Sequence, residues 1–271
     1  MNILVLGSAG QIGSALTEYL KKQNYNVFGY DIDSDPSQDL RISNALEEIL
    51  PNVDFVFFLA FDVGGSHYLN TYQHSYDFIS NNVKIMDNTF ESLNKYKTPF
   101  VFASSQMANL TNSGYGVLKN IGEKYTHSLK NGKVVRFWNV YGIEKNPEKF
   151  HVITDFILMA KNDGKIKIKT TGEETRQFLY AEDCSKCLEV IAREFNEIPE
   201  NELDISNFGW ISIYDVARII SSQFNNCEII RGEGGDNVQR AHLPDPRKDI
   251  LKYWKPETSI VSGIKNIINS L

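Results

Sequence analysis

The stretch NILVLGSAGQIG, residues 2–13, decides the fold. It begins with a run of apolar side chains typical of a buried strand and continues with glycines at Gly7, Gly10 and Gly13. Glycines at such positions form a tight turn, let a pyrophosphate approach the backbone and allow a helix to pack closely on the strand. The first turn of that helix offers unpaired N–H groups to phosphates. The stretch therefore predicts a strand, a phosphate-binding loop and a helix.

The second apolar run, NVFGYD, ends at Asp31, eighteen residues after Gly13. A carboxylate there can accept hydrogen bonds from the hydroxyl groups of an adenosine ribose. It would also repel a 2′-phosphate, and no arginine stands beside it in the sequence, so we expect NAD rather than NADP. A strand that simply ends in a turn is the alternative explanation of Asp31. After a further loop, Asp39 and Leu40 lie where the edge of an adenine could be contacted.

Apolar runs and amphipathic stretches alternate through the first half of the chain. The runs that follow the first two are DFVFFLA, PFVFASS and KVVRFWNVYG. Between the runs we expect helices that end near Asn24, lie near residues 43–50, follow the apolar stripe from Ile79 to Leu93, and span residues 115–129. The alternation predicts an α/β fold in which a doubly wound parallel Rossmann sheet is covered by helices on both faces.

The pattern changes after Gly142, where Asn-Pro, Asp-Gly and Thr-Gly breaks and an alternating KIKIK strand occur. We expect that strand to be a solvated sheet edge. The change predicts a smaller C-terminal lobe that is interwoven with the first domain rather than joined to it by a hinge. The expected division is an NAD-binding Rossmann domain of residues 1–142 with about 177–206, and a second, substrate-binding lobe of residues 143–176 and 207–271.

Composition and charge exclude several classes of protein. The chain of 271 residues has a formal net charge of −6 and no cluster of Lys and Arg that could follow a phosphate backbone, so nucleic acid is not an expected partner. The longest apolar run, Phe55 to Phe61, is far shorter than the roughly 20 residues of a membrane helix. The first residues lack the pattern of a secretory signal. We therefore expect a soluble cytoplasmic protein without a membrane partner.

The three cysteines fit a reducing compartment. Cys184 and Cys187 have the spacing of a zinc or redox pair, but no second pair of ligands accompanies them, and the five histidines show no metal-like spacing. Both cysteines lie in a helical pattern. We therefore expect ordinary helix residues and no metal site.

Several motifs, in this order, resemble those of the extended short-chain dehydrogenase/reductase family, and within it the nucleotide-sugar epimerases and dehydratases. The motifs are GSAGQIG, Asp31, the Asn82-Val83 pair, FVFASS, Tyr115-x-x-x-Lys119, RFWNVYG and TRQFLYAED. They cover nearly the whole chain. The resemblance implies a bound NAD, a nucleoside-diphosphate sugar as the substrate, and a homodimer or higher homo-oligomer that pairs through the helices near residues 76–93 and 115–129.

Tyr115 and Lys119 are four residues apart, so on a helix they share one face. The resemblance implies that they are catalytic together with Ser105, or its neighbour Ser104, at the end of a strand. A free phenol has a pKa near 10, and a nearby ammonium and the positive nicotinamide ring favour the phenolate. Ser105 would hydrogen-bond the sugar oxygen while Tyr115 takes its proton and the hydride leaves the same carbon.

The resemblance also implies which residues bind the cofactor and the substrate. For the cofactor they are Gly7, Ala9, Gly10, Gln11, Ile12, Gly13, Asp31, Ile32, Asp39, Leu40, Leu59, Ala60, Asn82, Tyr115 and Lys119. For the substrate they are Ser104, Ser105, Asn139, His151, Arg176 and Arg231. The two arginines would bind the nucleotide diphosphate, for which a planar guanidinium is suited, although either could instead be a surface or interlobe residue. Arg136 is expected to be structural, and Asp183 to brace the interlobe segment.

The sequence departs from the family at three places. Only nine residues separate Ser105 from Tyr115, where relatives usually have a longer loop. The dehydratases have an Asp-Glu pair directly after the hydroxyl residue, whereas Gln106 and Met107 stand here, so sugar 4,6-dehydration is not expected. The cysteine of the GDP-fucose synthase type is absent, although DVGGSHYLN and FHVITDFI resemble that branch, in which a histidine serves as an acid. His151 is therefore a candidate acid or substrate contact, or a helix-start histidine without chemistry.

The sequence thus predicts an NAD-dependent enzyme that oxidises C4 of a nucleoside-diphosphate sugar, with a GDP-linked sugar or heptose as one candidate. A 4-epimerase, which returns the hydride, and a 4-dehydrogenase, which does not, would use the same residues. The alternatives are a 4,6-dehydratase, a 4-keto-sugar reductase, and a non-catalytic regulator that senses a dinucleotide, because this fold is also used for binding alone.

Overall fold

Strands and helices alternate through most of the chain in the computed structural model, which describes residues 1–144, 146–235 and 245–271. The strands are β1 (Asn2–Leu6), β2 (Asn26–Tyr30), β3 (Phe55–Phe58), β4 (Phe100–Ser105), β5 (Gly132–Phe137), β6 (Asn139–Tyr141), β7 (Lys165–Thr170), β8 (Thr175–Arg176), β9 (Phe178–Tyr180), β10 (Glu202–Ile205), β11 (Ile211–Ser212) and β12 (Glu228–Gly234). The helices are α1 (Gln11–Lys22), α2 (Ser66–Tyr72), α3 (Tyr76–Tyr96), α4 (Gly114–Ser128), α5 (Val152–Asp163), α6 (Ala181–Arg193), α7 (Ile213–Ser221) and α8 (Ile260–Ser270).

Six strands form a central sheet in the order β10-β5-β4-β3-β1-β2, and every neighbouring pair is parallel. The chain runs outward from β1 in one direction to β2 and in the other direction to β3, β4 and β5. This reversal of strand order makes a crevice at the carboxyl ends of β1 and β3, where ligands bind in folds of this kind. The α/β, doubly wound parallel sheet predicted from the sequence is confirmed.

The central strands are apolar on both faces because helices cover both faces. All residues of β3 and β4 are buried. On one face the sheet packs against α1 and α6, through residues such as Leu16 and Leu188. On the other face it packs against α3 and α4, where Phe58 and Phe90 meet edge to face at 5.3 Å. The rigid central strands therefore fix the positions of the residues at their carboxyl ends.

Residues 43–50 do not form the helix that their apolar pattern predicted. They form consecutive turns, and Asn44 has a left-handed backbone with φ of 65° that a continuous right-handed helix cannot contain. Leu46 and Leu50 are nevertheless buried against the sheet. Turns thus bury the same apolar side chains that a helix would bury. The spacing of the apolar residues alone therefore predicted a helix where the chain forms turns.

A second apolar core lies outside the central sheet and is built from α5, β7, α7 and α8. β7 pairs in parallel with β12 in a two-stranded sheet, and its lysines are exposed while its isoleucines are buried, so the KIKIK strand is the solvated edge strand that the sequence predicted. Residues 177–206 contribute α6 and β10 to the first domain. Ile250 and Trp254 also pack into the first domain's core, whereas the sequence placed them in the second lobe. Their apolar side chains are buried there.

No helix in the described ranges is both long enough and apolar enough to cross a membrane. Cys184 and Cys187 are buried, unpaired residues of α6, and burial raises the pKa of both thiols. Both therefore favour the neutral thiol and pack as small apolar side chains.

The turn after β1 is closed by two glycines that a side chain would disrupt. Gly7 has φ of +84°, and a Cβ there would lie 2.7 Å from the backbone nitrogen of Ala60. A Cβ on Gly13 would lie 2.0 Å from the carbonyl oxygen of Gly7. The first turn of α1 therefore presses directly on the loop, which holds the N-terminus of α1 against the crevice.

We expect Gly13→Ala to lower the free energy of unfolding by about 1–3 kcal/mol and to weaken NAD binding, because the new methyl group overlaps backbone that cannot move aside. Thermal unfolding and titration with NAD measure the two effects. Gly209→Ala is the matched control, since a Cβ there meets only Asn207 Nδ2, at 3.7 Å. If Gly13→Ala had the same free energy of unfolding and the same NAD affinity as the wild type, the close contact between Gly13 and the carbonyl of Gly7 would be contradicted.

Candidate active site

A cleft of about 1480 Å³ opens at the carboxyl edge of the central sheet. One end is lined by the glycine loop and by the residues that follow β2 and β3. The middle is lined by the ends of β4 and β5 and by α4. The far end is lined by the start of α5 and by β7 and β8. The cleft thus joins the predicted nucleotide end to the predicted substrate end.

Asp31 holds the glycine loop from the end of β2. Its Oδ2 accepts a hydrogen bond from the backbone N–H of Ala9 at 2.8 Å, and its Oδ1 accepts one from the N–H of Asp33 at 2.9 Å. A carboxylate has about four acceptor sites, so it can still accept from ribose hydroxyl groups. The close approach of Gly7 and Gly13 leaves bare backbone beside it. These residues fit a dinucleotide.

All but one of the predicted cofactor-binding residues line this cleft. They are Gly7, Ala9, Gly10, Gln11, Ile12, Gly13, Asp31, Ile32, Asp39, Leu40, Leu59, Ala60, Tyr115 and Lys119. The guanidinium of Arg41 also lines the cleft, but it is paired with Asp39 at 2.8 Å, and this pairing lowers the pKa of Asp39.

Asn82 is the exception, because it lies behind the cleft wall rather than in it. Its side chain is fully buried, its Oδ1 accepts from the N–H of Asp62 at 2.7 Å, and its Nδ2 donates to the carbonyls of Asp62 and Phe78. The amide is thus occupied in bracing the loop after β3. The structure does not place Asn82 among the residues that line the cleft, and its contact with the cofactor stays a prediction.

Ser105, Tyr115 and Lys119 meet in the middle of the cleft. Ser105 ends β4, and its Oγ caps the turn at residues 106–109 by accepting from Met107 N–H at 3.1 Å. Ser105 also hydrogen-bonds Tyr115. Lys119 Nζ donates to the carbonyl of Ala103 at 2.7 Å and lies 5.7 Å from the centre of the Tyr115 ring. The structure therefore places together the three residues that the sequence predicted as catalytic.

Burial opposes a charge on either Tyr115 or Lys119. It raises the pKa of Tyr115 to about 12, although the hydrogen bond with Ser105 acts in the opposite direction. Burial lowers the pKa of Lys119 to about 7, and the negative charge of Glu123 opposes this shift only in part. The ring of Phe61, whose centre is 3.7 Å from Lys119 Nζ, favours the ammonium by a cation–π contact.

Ser104 hydrogen-bonds to a buried ionic cluster. Its hydroxyl donates to Glu123 at 2.6 Å, and Glu123 is bound by both arms of the Arg136 guanidinium at 2.6 Å. Arg136 also donates to Glu202 at 2.9 Å. Arg136 is therefore structural, as expected, and these contacts favour Ser105 over Ser104 as the hydroxyl that meets a substrate.

A second polar group surrounds His151 at the start of α5. His151 Nδ1 is 2.5 Å from Glu144 Oε1, and Glu144 Oε2 accepts from the N–H of His151 at 3.0 Å and from the hydroxyl of Thr154 at 2.5 Å. Burial alone would raise the pKa of Glu144, but these hydrogen bonds hold it below its ordinary value. The contact at Nδ1 leaves Nε2 as the nitrogen that can meet a ligand in the cleft. The sequence gave no signal for Glu144.

The remaining predicted substrate residues divide between the cleft and the surface. Asn139 lines the cleft, and its Oδ1 accepts from Gln106 Nε2 at 3.0 Å. Arg176 lines it from β8. Arg231 does not line it, because its Nε donates to the carbonyl of Thr171 at 2.6 Å and its guanidinium lies over the ring of Tyr214. The structure therefore does not bring Arg231 together with the other predicted substrate residues, and its contact with substrate stays a prediction.

Asp183 braces the chain as expected, since its Oδ2 accepts from the N–H groups of Glu257 and Thr258 at 2.9 and 2.6 Å. No group of three or more His, Cys, Asp or Glu residues that could hold a metal ion is present in the part of the chain that the structure describes.

The fold and the cleft define a class of protein: a Rossmann-fold protein in which a dinucleotide loop and a Ser–Tyr–Lys group share one cleft. Residues 3–209 match the model of the NAD dependent epimerase/dehydratase family, so the chain belongs to that family. This confirms the family resemblance and the expectation of NAD.

The names of individual relatives specify different sugar nucleotides. The chain is 27% identical over 319 aligned positions to the uncharacterized UDP-glucose epimerase YtcB of Bacillus subtilis, covering 99% of this chain and 97% of that protein. It is 30% identical to a GDP-L-fucose synthase of Sinorhizobium fredii over 57% of this chain and 52% of that one. The structure of UDP-glucose 4-epimerase from Thermotoga maritima with UDP-glucose superposes with a TM-score of 0.82 at 20% identity, covering 99% and 98% of the two chains. That likeness shows the fold.

The buried ammonium of Lys119 makes a prediction about stability and pH. Its pKa is about 7 in the folded protein and near 10.4 when unfolded, so between these values the unfolded chain binds more protons and stability rises with pH. The free energy of unfolding of the wild type minus that of Lys119→Met should therefore increase by up to about 4 kcal/mol from pH 7 to pH 10.5.

Urea unfolding of both proteins across this pH range measures the difference. Lys124→Met, on the exposed side of the same helix, is the matched control. A difference between wild type and Lys119→Met that stays constant with pH would contradict the lowered pKa.

Proposed function

We propose that the protein oxidises C4 of a nucleoside-diphosphate sugar, as a 4-epimerase or a 4-dehydrogenase. The observation that supports this most directly is the hydrogen-bonded Ser105 and Tyr115 beside Lys119, in the same cleft as the glycine loop. A binding-only protein would have no need to bury a phenol and an ammonium next to each other in the cleft.

The chain's own residues position the sugar and move one proton. Ser105 binds the sugar hydroxyl, and Tyr115 takes its proton. Lys119 is fixed by the carbonyl of Ala103, and its positive charge favours the phenolate of Tyr115. When NAD is bound, its nicotinamide ring supplies a positive charge and accepts the hydride. Phe61 excludes water from this side of the ammonium and stabilises its charge.

The residues after Ser105 argue against 4,6-dehydration. That position of the cleft holds Gln106, whose amide is bound to Asn139, and the buried Met107. Neither can remove or supply a proton to eliminate water. The His151–Glu144 pair could instead serve as a second acid in the cleft. Such an acid would suit a reaction of the 4-keto sugar. It also supports a GDP-linked substrate as one candidate. The name of the Bacillus relative supports a UDP-linked one.

A panel of UDP-, GDP- and dTDP-linked sugars tests the reaction class. We expect one of them to be converted in the presence of NAD: growth of absorbance at the wavelength of reduced nicotinamide indicates net oxidation, and a new sugar isomer without that growth indicates epimerisation. Tyr115→Phe should lower the rate by about 10²–10⁴-fold, because the proton acceptor is lost, with NAD affinity unchanged.

Tyr76→Phe is the control, since Tyr76 is 82% exposed at the start of α3. Full activity in Tyr115→Phe would show that the phenol is not the proton acceptor. Failure of every nucleotide sugar to bind the wild-type protein would favour a dinucleotide-sensing regulator.

We also propose that two copies of the chain pair through α3 and α4. Both helices present apolar side chains to solvent: Ile79 and Val83 on α3 are 40% and 44% exposed, and Val117 and Ile121 on α4 are 41% and 39% exposed. These residues line one shallow surface groove. A contiguous apolar surface of this kind is typical of a protein interface. The sequence left open whether the apolar stripe on α4 faces the sheet or the solvent. In the structure it faces the solvent.

Val83→Glu should convert the dimer to a monomer, because pairing would bury the new carboxylate without a partner. Sedimentation velocity at micromolar concentrations measures the change. Val261→Glu, on α8, is the matched control, since Val261 is 39% exposed and lies outside this surface. A wild-type monomer, or a Val83→Glu variant that remains dimeric, would contradict the proposal.

A further inference from the structure

Two lysines of β7 line the far end of the cleft. Side chains alternate between the faces of a strand, and in β7 Ile166 and Ile168 are buried in the core of the second lobe. Lys167 and Lys169 therefore point to the opposite face, and both line the cleft. The KIKIK pattern thus gives β7 one apolar face and one exposed cationic face at the predicted substrate end, and Ile168 of the apolar face lines the cleft as well.

Neither lysine is held by a direct polar contact in the described parts of the chain, although Lys169 interacts electrostatically with Asp155. Within residues 1–144, 146–235 and 245–271, Lys167 and Lys169 form no hydrogen bond or ion pair. Lys165, two residues before Lys167 on the same face, differs: it pairs with Glu228 of β12 at 3.6 Å and does not line the cleft. The strand thus holds one neutralised lysine at the surface and two lysines whose charge can meet an anion.

The register of the β7–β12 ribbon explains why Arg231 does not join them. Arg231 is the partner of Ile168, and Ile230 is the partner of Lys167. Paired residues point to the same face of a sheet, so Arg231 lies on the face opposite the two lysines. There its guanidinium is 4.5 Å from the centre of the Tyr214 ring.

Two carboxylates lie near the lysines. Burial raises the pKa of Asp155, which lines the cleft near Lys169. Glu174 accepts a hydrogen bond from Thr170. On the β12 side, Gly234 and Gly235 line the cleft, and the backbone of Gly234 packs closely against the carbonyl of Lys169.

We propose that Lys167 and Lys169, together with Arg176, bind the diphosphate of the substrate, and that Arg231 does not. This inference rests on the proposed function, because it assumes a nucleoside-diphosphate substrate. A lysine ammonium is a compact charge with three donors, and it binds phosphate oxygens without the fixed planar geometry of arginine. Two lysines on one strand face are about two residue rises, or roughly 7 Å, apart, which suits adjacent phosphates of one diphosphate.

Calorimetric titration of the NAD-loaded protein with UDP and with GDP tests this inference. Lys167→Ala and Lys169→Ala should each weaken the binding of whichever nucleotide the wild type prefers by about three- to tenfold. The wild-type dissociation constant should also rise more steeply with ionic strength than that of either variant. Lys165→Ala and Arg231→Ala should bind as the wild type does. The affinity for NAD should be the same in all variants.

The outcomes separate this inference from the function on which it rests. If the wild type binds a nucleoside diphosphate and both lysine variants bind it equally tightly, the inference is wrong and the proposed function stands. An equal loss in Lys165→Ala would show a general effect of surface charge and would also overturn it. A loss in Arg231→Ala alone would assign the diphosphate to Arg231. If the wild type binds neither UDP nor GDP, the proposed function fails and the inference fails with it.

Discussion

The burial of Tyr115 and Lys119 in one place is the constraint on which the rest of the site depends. Each group is driven toward its neutral form, the phenol by a raised pKa and the ammonium by a lowered one. A phenolate and an ammonium can coexist there only when each stabilises the other, because the surrounding apolar groups cannot replace water. Their two titrations are therefore coupled, and a positive nicotinamide ring beside them shifts both toward the charged pair.

The fold supplies the contacts that keep this pair in position. Ala103, near the end of β4, accepts from Lys119, and Ser105, two residues later, hydrogen-bonds Tyr115. Both contacts come from a fully buried strand, so neither partner can move without disturbing the sheet. The ionic cluster of Glu123 and Arg136 lies behind them and links α4 to β5. The proposed catalytic groups are thus held by a fully buried strand of the central sheet, while the predicted substrate end is lined by residues of the second lobe.

The sequence predicted those parts that depend on local backbone rules. The glycine turn and the spacing of Tyr115 and Lys119 follow from local backbone geometry, and Asp31 is marked by its position at the end of the second strand; the structure has all of them where the sequence placed them. The sequence did not show roles that depend on which group a side chain meets across a loop. Asn82 braces Asp62 twenty residues away, and Glu144 binds His151 across a loop, so neither role leaves a periodic signal in the sequence.

The same distinction explains the lysines of β7. The alternation of Ile and Lys was visible in the sequence, and it correctly gave a strand with one apolar face. What the alternation could not give is the environment of the other face, because that depends on pairing with β12 more than fifty residues later. An expectation carried over from relatives assigned the diphosphate to Arg231, but a residue moves to the opposite face when the register shifts by one. The pairing register therefore determines which side chains form the cationic face of a strand. A motif match that does not fix the register cannot identify those side chains.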